Sequence, residues 1–448
     1  MQPPKPIQSQ RPLVKRIILA LVALTSISIG FAAVVIYRNY TAPFKTLEHE
    51  IAKMKSAGEP MTFDEILPAS IPDWDNAAID YEEIFALLDN GTEEEQQAFT
   101  EFLKPNREQV EETTREAVGR ILIKNREALS ALPKATTKHY CQFPVNWKIP
   151  IYAQFPHYAP LRQCANLLYS DALLKKARGD VEGALRSCVT VLRMAKQLGR
   201  EQPPIFIGFF VRTTLYAIAL RAAEQILTDT DVSAPMYRAL LRELDEHGMK
   251  AHLTHSLIAE RCVGRSAWVL LAKGEATLEE IAGETVRQRK QLGSPLERLW
   301  LARDETSFLQ IMSHAISISK QPNYDWEAME SLKVLQEESK SKLNILTAIL
   351  TPFYTQTFET AAHIEARIHT SRLAIRLRLF RLEHGEYPDE SSYAAELPTD
   401  PFNGTPVIYR REGNGFIVYS VGRNRKDDDG VYNTEHPNES DIVWRSEI

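Results

Sequence analysis

Cysteine is scarce in this chain, which holds four in 448 residues: Cys141, Cys164, Cys188 and Cys262. They form no CxxC pair and no cysteine–histidine spacing of the zinc-binding kind, so the sequence does not indicate a structural zinc site. In an oxidising compartment, four cysteines allow three disulfide pairings. The alternative, which we favour, is that they are buried free thiols on helices.

Recognisable catalytic motifs are also missing. The sequence has no GxSxG, HExxH or P-loop pattern, and residues 264–268, GRSAW, lack the second glycine of a nucleophile elbow. Glu365 and His369 are four residues apart on a predicted helix and could share a metal, but such pairs more often make ordinary hydrogen bonds. An enzyme built from this chain would have to assemble its site from residues scattered over several helices.

A strong net charge is absent too. The formal charge is -6 over 448 residues, which argues against a general binder of nucleic acid. The composition, 44% hydrophobic and 25% charged, is that of a globular protein and excludes disorder as the default. The length is sufficient for two or three domains.

One long apolar run is present near the amino end. Residues 17–37, IILALVALTSISIGFAAVVIY, carry no charge over about 21 residues, enough for a helix to cross a hydrocarbon core of roughly 30 Å. Four basic residues precede the run and one follows it closely: Lys5, Arg11, Lys15, Arg16 and Arg38. The positive-inside rule therefore predicts a single-pass protein of the inner (cytoplasmic) membrane, with a cytoplasmic tail at 1–16 and the rest outside the cytoplasm.

A cleaved signal peptide is the alternative for this segment. Its apolar core would be about 7 to 15 residues long, and a small-residue cleavage site would stand where Arg38, Asn39 and Tyr40 are found. A prepilin-type signal is not supported either, because Gly30-Phe31 lies deep in the run and Val35 stands where that signal has glutamate. We therefore expect an uncleaved signal anchor.

The chain from 41 to 360 has the periodicity of a large α-helical domain. Apolar residues recur at intervals of three and four, and residues 161–198 predict a helical hairpin that turns at Arg178-Gly179-Asp180. The other predicted helices are 76–88, 106–132, 207–227, 234–247, 252–272, 277–292, 295–319, 326–339 and 363–385. The hairpin resembles one tetratricopeptide unit, but no second copy follows it. We therefore expect plain helix-on-helix packing, with a solenoid as the alternative. Residues 134–161 are rich in proline and aromatics and predict a long ordered loop that lines a groove or covers the core.

After Gly385 the sequence pattern changes from helical periodicity to the alternation of β-strands. Residues 407–411 and 416–421 alternate, and Asn414-Gly415 between them predicts a hairpin in which the glycine takes positive φ. Residues 400–404, DPFNG, predict a tight turn before the hairpin. The helix at 363–385 has apolar residues on two opposite faces with arginines between them, which predicts packing from both sides and arginines that have partners.

Four segments of this region, taken in order, resemble a known family. LRLFRLEHGEYP, LPTDPFNGTPVIYRR, FIVYSVGRN and SDIVW are similar to the carboxy-terminal half of the major pseudopilin of type II secretion systems. The resemblance covers about the last 80 residues, and we treat 361–448 as a pseudopilin-like module of α+β type.

The resemblance implies a calcium site in the loop after the second strand. The family's strand-end carbonyl corresponds to Val421, its first loop acid to Asn424 and its closing acidic pair to Ser440-Asp441, so two of three acidic positions are neutral here. Neighbouring aspartates could supply the missing charge, since calcium accepts six to eight oxygens in flexible geometry. The predicted ligands are Val421, Asn424, Asp427, Asp428, Asp429 and Asp441. The alternative is a solvated loop whose acids are neutralised by Arg423, Arg425 and Lys426.

Together these features favour a membrane-anchored, extracytoplasmic helical scaffold or interaction protein of the bacterial envelope, with a protein partner there. One alternative is an envelope hydrolase whose site lies in the helical domain near residues 134–161. Another is an accessory component of a type II secretion-like system. The sequence contains no catalytic motif that would support the hydrolase alternative. Calcium is the one cofactor that the sequence implies.

Overall fold

The protein, described from a computed structural model, is mainly helical with a small sheet at its carboxy end. The structure describes residues 11–67, 70–104, 110–245, 248–282, 295–340, 344–351, 354–432 and 440–446, without the side chains of 11–18, 20, 245, 295 and 296. The helices are α1 Arg11–Ser56, α2 Ala77–Ala86, α3 Glu93–Phe102, α4 Glu112–Lys124, α5 Arg126–Ala135, α6 Tyr158–Ala177, α7 Val181–Leu198, α8 Phe206–Leu227, α9 Ala234–Asp245, α10 Met249–Lys273, α11 Leu278–Ala282, α12 Pro295–Ser319, α13 Trp326–Ser339, α14 Ile345–Leu350, α15 Tyr354–His384 and α16 Glu390–Tyr393. The strands are β1 Ile408–Glu412, β2 Gly415–Ser420 and β3 Ile442–Ser446.

Two of the described helices are long and apolar enough to cross a membrane, judged by length and composition alone. In α8 more than half of the apolar stretch is buried among other helices, whereas none of the apolar stretch of α1 is buried. Helix α8 is therefore a helix of the protein core. The predicted apolar helix at the amino end is present in α1 and could anchor the protein in a membrane.

Helix α1 does not stop at Tyr37 but continues to Ser56, with Pro43 inside it. Its last turns pack on α12, with Leu47 and Ile51 against the main core. The segment that follows is held by two side chains of α10: Arg261 donates to the carbonyl of Pro60 at 2.9 Å and Arg265 to that of Met61 at 3.0 Å. The carboxy-terminal end of α1 is therefore held on the helical body by packing and by these hydrogen bonds.

The centre of the body is the predicted helical hairpin, α6 and α7, packed on α8. Gly179 takes φ +82° at the turn, which an L side chain rarely adopts, and Asp180 caps α7 by accepting from the N–H of Gly183 at 2.9 Å. Buried side chains such as Leu185 and Leu215 each contribute roughly 1.5–3 kcal/mol to this core. The prediction of a helical hairpin is confirmed.

All four cysteines are buried free thiols, as predicted. Three lie on helices, but Cys141 lies in the segment between α5 and α6, so its predicted helical setting is wrong. Burial raises the pKa of the Cys141 and Cys188 thiols, which keeps them protonated and unreactive.

One predicted helix, 106–132, is divided in the structure. Helices α4 and α5 meet at Asn125, whose side chain donates to the carbonyl of Asp89 at 2.8 Å and accepts from its N–H at 2.9 Å. A buried asparagine that bonds to backbone competes with helical continuity, which is why the break falls there. The start of that prediction, 106–109, lies outside the described residues, as do the ends of two others, 246–247 and 283–292.

The predicted ordered loop at 134–161 is present but shorter, because 134–135 belong to α5 and 158–161 to α6; we call residues 136–157 the aromatic segment. Apart from a short 3₁₀ turn at Pro150–Tyr152 it has no helix. Asn76 fixes it by accepting from the N–H of Gln142 at 2.8 Å and donating to its carbonyl at 2.9 Å. Phe143 stacks on His157 with ring centroids 4.2 Å apart, so the segment covers the helices beneath it.

At the carboxy end, β1, β2 and β3 form an antiparallel sheet in sequence order. The β1–β2 hairpin is confirmed, but its turn differs from the prediction. Gly413, at φ +60°, takes the left-handed position, whereas Gly415 already pairs with Glu412 as the first residue of β2. A type II′ turn requires glycine at its first central residue, which here is Gly413. The prediction that Gly415 takes positive φ is therefore wrong.

The sheet packs on α15 and shares its core with the helical body. Tyr409, Val418 and Trp444 belong to the same apolar cluster as the central helices. The arginines of α15 have partners, as predicted: Arg367 pairs with Glu224, and the fully buried Arg378 bonds to residues 228–231 and to β3.

Candidate functional site

The loop between β2 and β3 carries the predicted calcium ligands. Gly422 has φ +66°, and a Cβ there would collide with the carbonyl oxygen of Ser440, so the two ends of the loop touch. Gly430 is equally confined, because a Cβ would strike the side chain of Ile417. The described parts of the loop, residues 421–432 and 440–441, therefore fold tightly onto the sheet.

Asp441 organises this loop from inside the protein. Its buried carboxylate accepts from the N–H of Gly430 at 2.8 Å and of Asp428 at 3.2 Å. Burial raises the pKa of Asp441 to about 6, against the effect of these hydrogen bonds, and the charges of Asp428 and Asp427 raise it further. The nearby carboxylates therefore repel one another.

The side chains of Asp427 and Asp429 contact the sheet instead of Asp441. Asp427 accepts from the Tyr419 hydroxyl at 3.0 Å and from the N–H of Asp429 at 2.9 Å. Asp429 forms an ion pair with Arg410 of β1 at 3.3 Å. These two aspartates tie the loop to the sheet.

Asn424 and Asp428 lie on the other side of the loop. The Asn424 amide donates to Asp428 Oδ2 at 2.7 Å, and its own Oδ1 accepts from the N–H of Lys426 at 3.0 Å. Within the described part of the chain, no three His, Cys, Asp or Glu side chains form a group suited to a metal ion. Of the predicted ligands, the structure brings Asn424, Asp428 and Asp441 together.

Sequence reasoning missed the role of Asp400. Besides closing the predicted turn with Phe402, its carboxylate accepts from the Ser420 hydroxyl and from the N–H of Val421, both at 2.9 Å. Asp400 thus fixes the end of β2, where the loop begins. A turn aspartate before proline is visible in the sequence, but a partner 21 residues away is not.

Glu365 and His369, the helical pair, do not share a ligand position. Glu365 accepts from the Tyr324 hydroxyl at 2.8 Å, and His369 Nδ1 lies 2.9 Å from the carbonyl oxygen of Thr399. Each residue joins α15 to a different neighbouring segment. Neither residue is fully exposed, so two bonds between elements are found where a surface hydrogen bond was expected.

A groove of about 840 Å³ crosses the helical body between α4, α5, α6, α7 and α9, and we call it the basic groove. Apolar side chains, including Leu129, Leu168 and Val189, lie along it. Ile123 stands in it with 65% of its side chain exposed. Five basic and two acidic residues line the same surface: Arg126, Lys175, Arg178, Arg186, Arg193, Asp171 and Asp180.

The charges of the basic groove are only partly compensated. Lys175 pairs with Asp171 at 2.6 Å, and Arg193 pairs with Glu243 at 2.9 Å. Arg126 and Arg178 are exposed and form no ion pair with any residue that the structure describes. The groove therefore offers an apolar surface with free positive charge to a partner.

A second recess, of about 670 Å³, lies between α8, α15 and β3. A carboxylate and a histidine line it, and a histidine in a polar pocket would favour the hydrolase hypothesis, but its lining includes none of residues 134–161, where that hypothesis places the site. Glu224 pairs with Arg367 at 3.6 Å, and burial raises its pKa. His363 has a pKa lowered to about 3, by burial and by Arg367 and Arg423. At neutral pH His363 is thus an uncharged and very weak base, ill-suited to activating water.

Comparisons with protein-family models, with curated proteins and with solved structures find no match for this chain. Its function is therefore argued from the geometry of the sites above.

Proposed function

We propose that the protein is a membrane-anchored scaffold of the bacterial envelope that binds a partner protein in the basic groove. The observation that carries this proposal is the exposed pair Arg126 and Arg178, which have no ion-pair partner among the described residues, on an apolar groove that also exposes Ile123. Positive charge beside an apolar surface favours an acidic segment with apolar side chains. The partner is accordingly an acidic, amphipathic stretch of another envelope protein.

The anchor and the charge distribution near it support the location. The apolar part of α1 is long enough to cross a bilayer and is not covered by protein. Basic residues are concentrated before the run, so we assign the helical body to the extracytoplasmic side of the inner membrane. In this arrangement the pseudopilin-like module braces the body through α15.

Photo-cross-linking in cells tests the proposed partner site. p-Benzoylphenylalanine in place of Ile123 sits in the basic groove, and the same residue in place of Val334 on α13 is the control, since both positions are more than half exposed. We expect an envelope protein to cross-link from position 123 and not from position 334. Equal cross-linking from both positions would contradict a specific groove.

Charge reversal in the same cells tests the proposed basis of recognition. Combining Arg126→Glu with Arg178→Glu should abolish the cross-link from position 123, because the groove then repels an acidic segment. Arg115→Glu on the exposed surface of α4 is the matched control and should leave the cross-link intact. A partner that still cross-links to the double variant would show that charge does not select it.

The partner's identity separates this proposal from the secretion alternative. An accessory component of a type II secretion-like system predicts that the cross-linked protein is a pseudopilin. Any other envelope protein would favour an independent scaffold.

A further inference from the structure

The aromatic segment and the start of α8 enclose a cavity of about 230 Å³ against α10 and α12. Its walls include Trp147, Phe155, Ile205 and Phe308. Gly264 of α10 lets the Phe308 ring approach the helix, since a Cβ there would lie 2.6 Å from the ring. The cavity is thus a shaped, largely apolar site that is separate from the basic groove.

Glu260 is the one charged side chain among the described residues that line this cavity. Its Oε1 accepts from the N–H of Phe206 at 2.8 Å. This bond satisfies a free N–H at the start of α8, where the N-cap residue Ile205 has no capping side chain. Helix capping therefore explains one oxygen of Glu260.

The second oxygen is not explained by capping. Glu260 Oε2 receives no hydrogen bond from any described residue, and the side chain is only half-buried, so this oxygen is open to the cavity that it lines. The apolar surroundings raise the pKa of the carboxyl, and a donor or a cation beside it would offset the cost of its charge. A donor group on a ligand in the cavity would meet this oxygen.

We infer that this cavity binds a small ligand with an apolar, aromatic-sized body and a protonated primary amine that donates to Glu260 Oε2. The volume lies below the roughly 300–1,000 Å³ of sites for drug-sized ligands, so one ring with a short alkyl chain suits it. A charge-assisted bond in an apolar setting gives such a site its selectivity for the ammonium group. A carboxylate-bearing ligand of the same shape is repelled.

Ligand-observed NMR with the full chain in detergent tests this assignment at neutral pH. The probes are phenethylammonium, the neutral isostere 2-phenylethanol and the anion phenylacetate. Phenethylammonium should bind most tightly, by about tenfold over the alcohol, which is the effect of one hydrogen bond to a charged group. Phenylacetate should not bind.

Two variants separate the charge of Glu260 from the shape of the cavity. Glu260→Gln keeps an oxygen for the Phe206 N–H, so it should fold with an unchanged Tm while losing the tenfold preference for the amine. Ala153→Phe, which fills the cavity, should abolish binding of both the amine and the alcohol, and Glu275→Gln on the exposed surface should change nothing.

Three results would overturn the inference. One is equal binding of amine and alcohol by the unaltered chain. Another is a preference for the amine that survives Glu260→Gln. The third is no binding of phenethylammonium at millimolar concentration. Failure of the groove experiments leaves this test unaffected, because the two sites share no residue.

Discussion

Arg378 of α15 donates a hydrogen bond to the Ser446 hydroxyl of β3 at 2.9 Å, and both side chains are buried. The same guanidinium donates to the carbonyls of Thr228 and Thr230, at 3.2 and 3.1 Å, and pairs with Asp231. One buried cation therefore joins the sheet, the long helix and the α8–α9 connection. A buried charge in such a network is costly to remove, because its partners lose their donors.

Arg378→Met should lower the free energy of unfolding by about 1–3 kcal/mol, because the Ser446 hydroxyl and two backbone carbonyls lose their donor, whereas the Asp231 carboxylate is 41% exposed and can be solvated. Urea unfolding of the two proteins measures the change. Arg445→Met on β3 is the control, since Arg445 is half exposed and its ion pair among the described residues is with Glu412 at 3.5 Å; it should cost less than about 1 kcal/mol. Similar losses in both variants would show that Arg378 does not hold the module to the body.

Asp441 should make stability fall as pH rises. Its pKa is about 6 in the folded protein and about 3.9 in an unfolded chain, so the folded state retains the proton to higher pH. The resulting stabilisation is fully present below about pH 4 and is lost as pH rises through 6. Asp441→Asn mimics the neutral form, so urea midpoints of this variant and the parent should agree at pH 4 and diverge by pH 7, with the parent less stable. Parallel pH profiles would contradict the raised pKa.

Calcium provides an independent test of the same loop. The calcium hypothesis predicts that millimolar calcium raises Tm at pH 7, because the ion would relieve the repulsion between Asp428 and Asp441. The shift should disappear in Asp441→Asn and persist in Asp429→Asn, since Asp429 faces Arg410. If Tm does not move in the parent, the loop is held by its internal hydrogen bonds and carries no calcium.

The topology is tested by reporter fusions after Ile448. Alkaline phosphatase, which is active only outside the cytoplasm, should be active there, whereas a reporter that needs the cytoplasm should not. The reverse pattern would move the body to the cytoplasm and remove the basis for an envelope partner. Replacing Lys15 and Arg16 with glutamate should weaken the orientation, because the positive-inside bias depends on basic residues near the apolar run.

Local signals in the sequence account for much of the fold. Periodicity and a capping residue predict α13 with its observed bounds, Trp326–Ser339, because Asp325 caps the helix by accepting from the N–H of Ala328. The break at Asn125 could not be predicted in the same way, since the group that Asn125 bonds to lies 36 residues away. Where an element's limits depend on tertiary contacts, periodicity gives its type but not its end.

The candidate sites depend even more on distant contacts. The acidic run at 427–429 is obvious in the sequence, yet Tyr419 and Arg410 decide where two of its carboxylates lie. The basic groove draws on five helices, and no local motif marks Arg126 and Arg178 as neighbours of one surface. Glu260 has no sequence signal at all, because its environment is created by the aromatic segment more than 100 residues before it.

The continuity of α1 has a geometric consequence for any partner. Leu47, where the helix meets the body, lies ten residues beyond Tyr37, or about 15 Å along the axis. With the apolar part of α1 in a bilayer, this short distance would keep the body close to the lipid surface, because α10 also holds the chain at Pro60 and Met61. Another membrane-bound protein would then meet the body by diffusion in the plane of the membrane, at one distance from the lipid. A partner whose acidic segment is tethered at a different level would need a flexible linker long enough to close the gap.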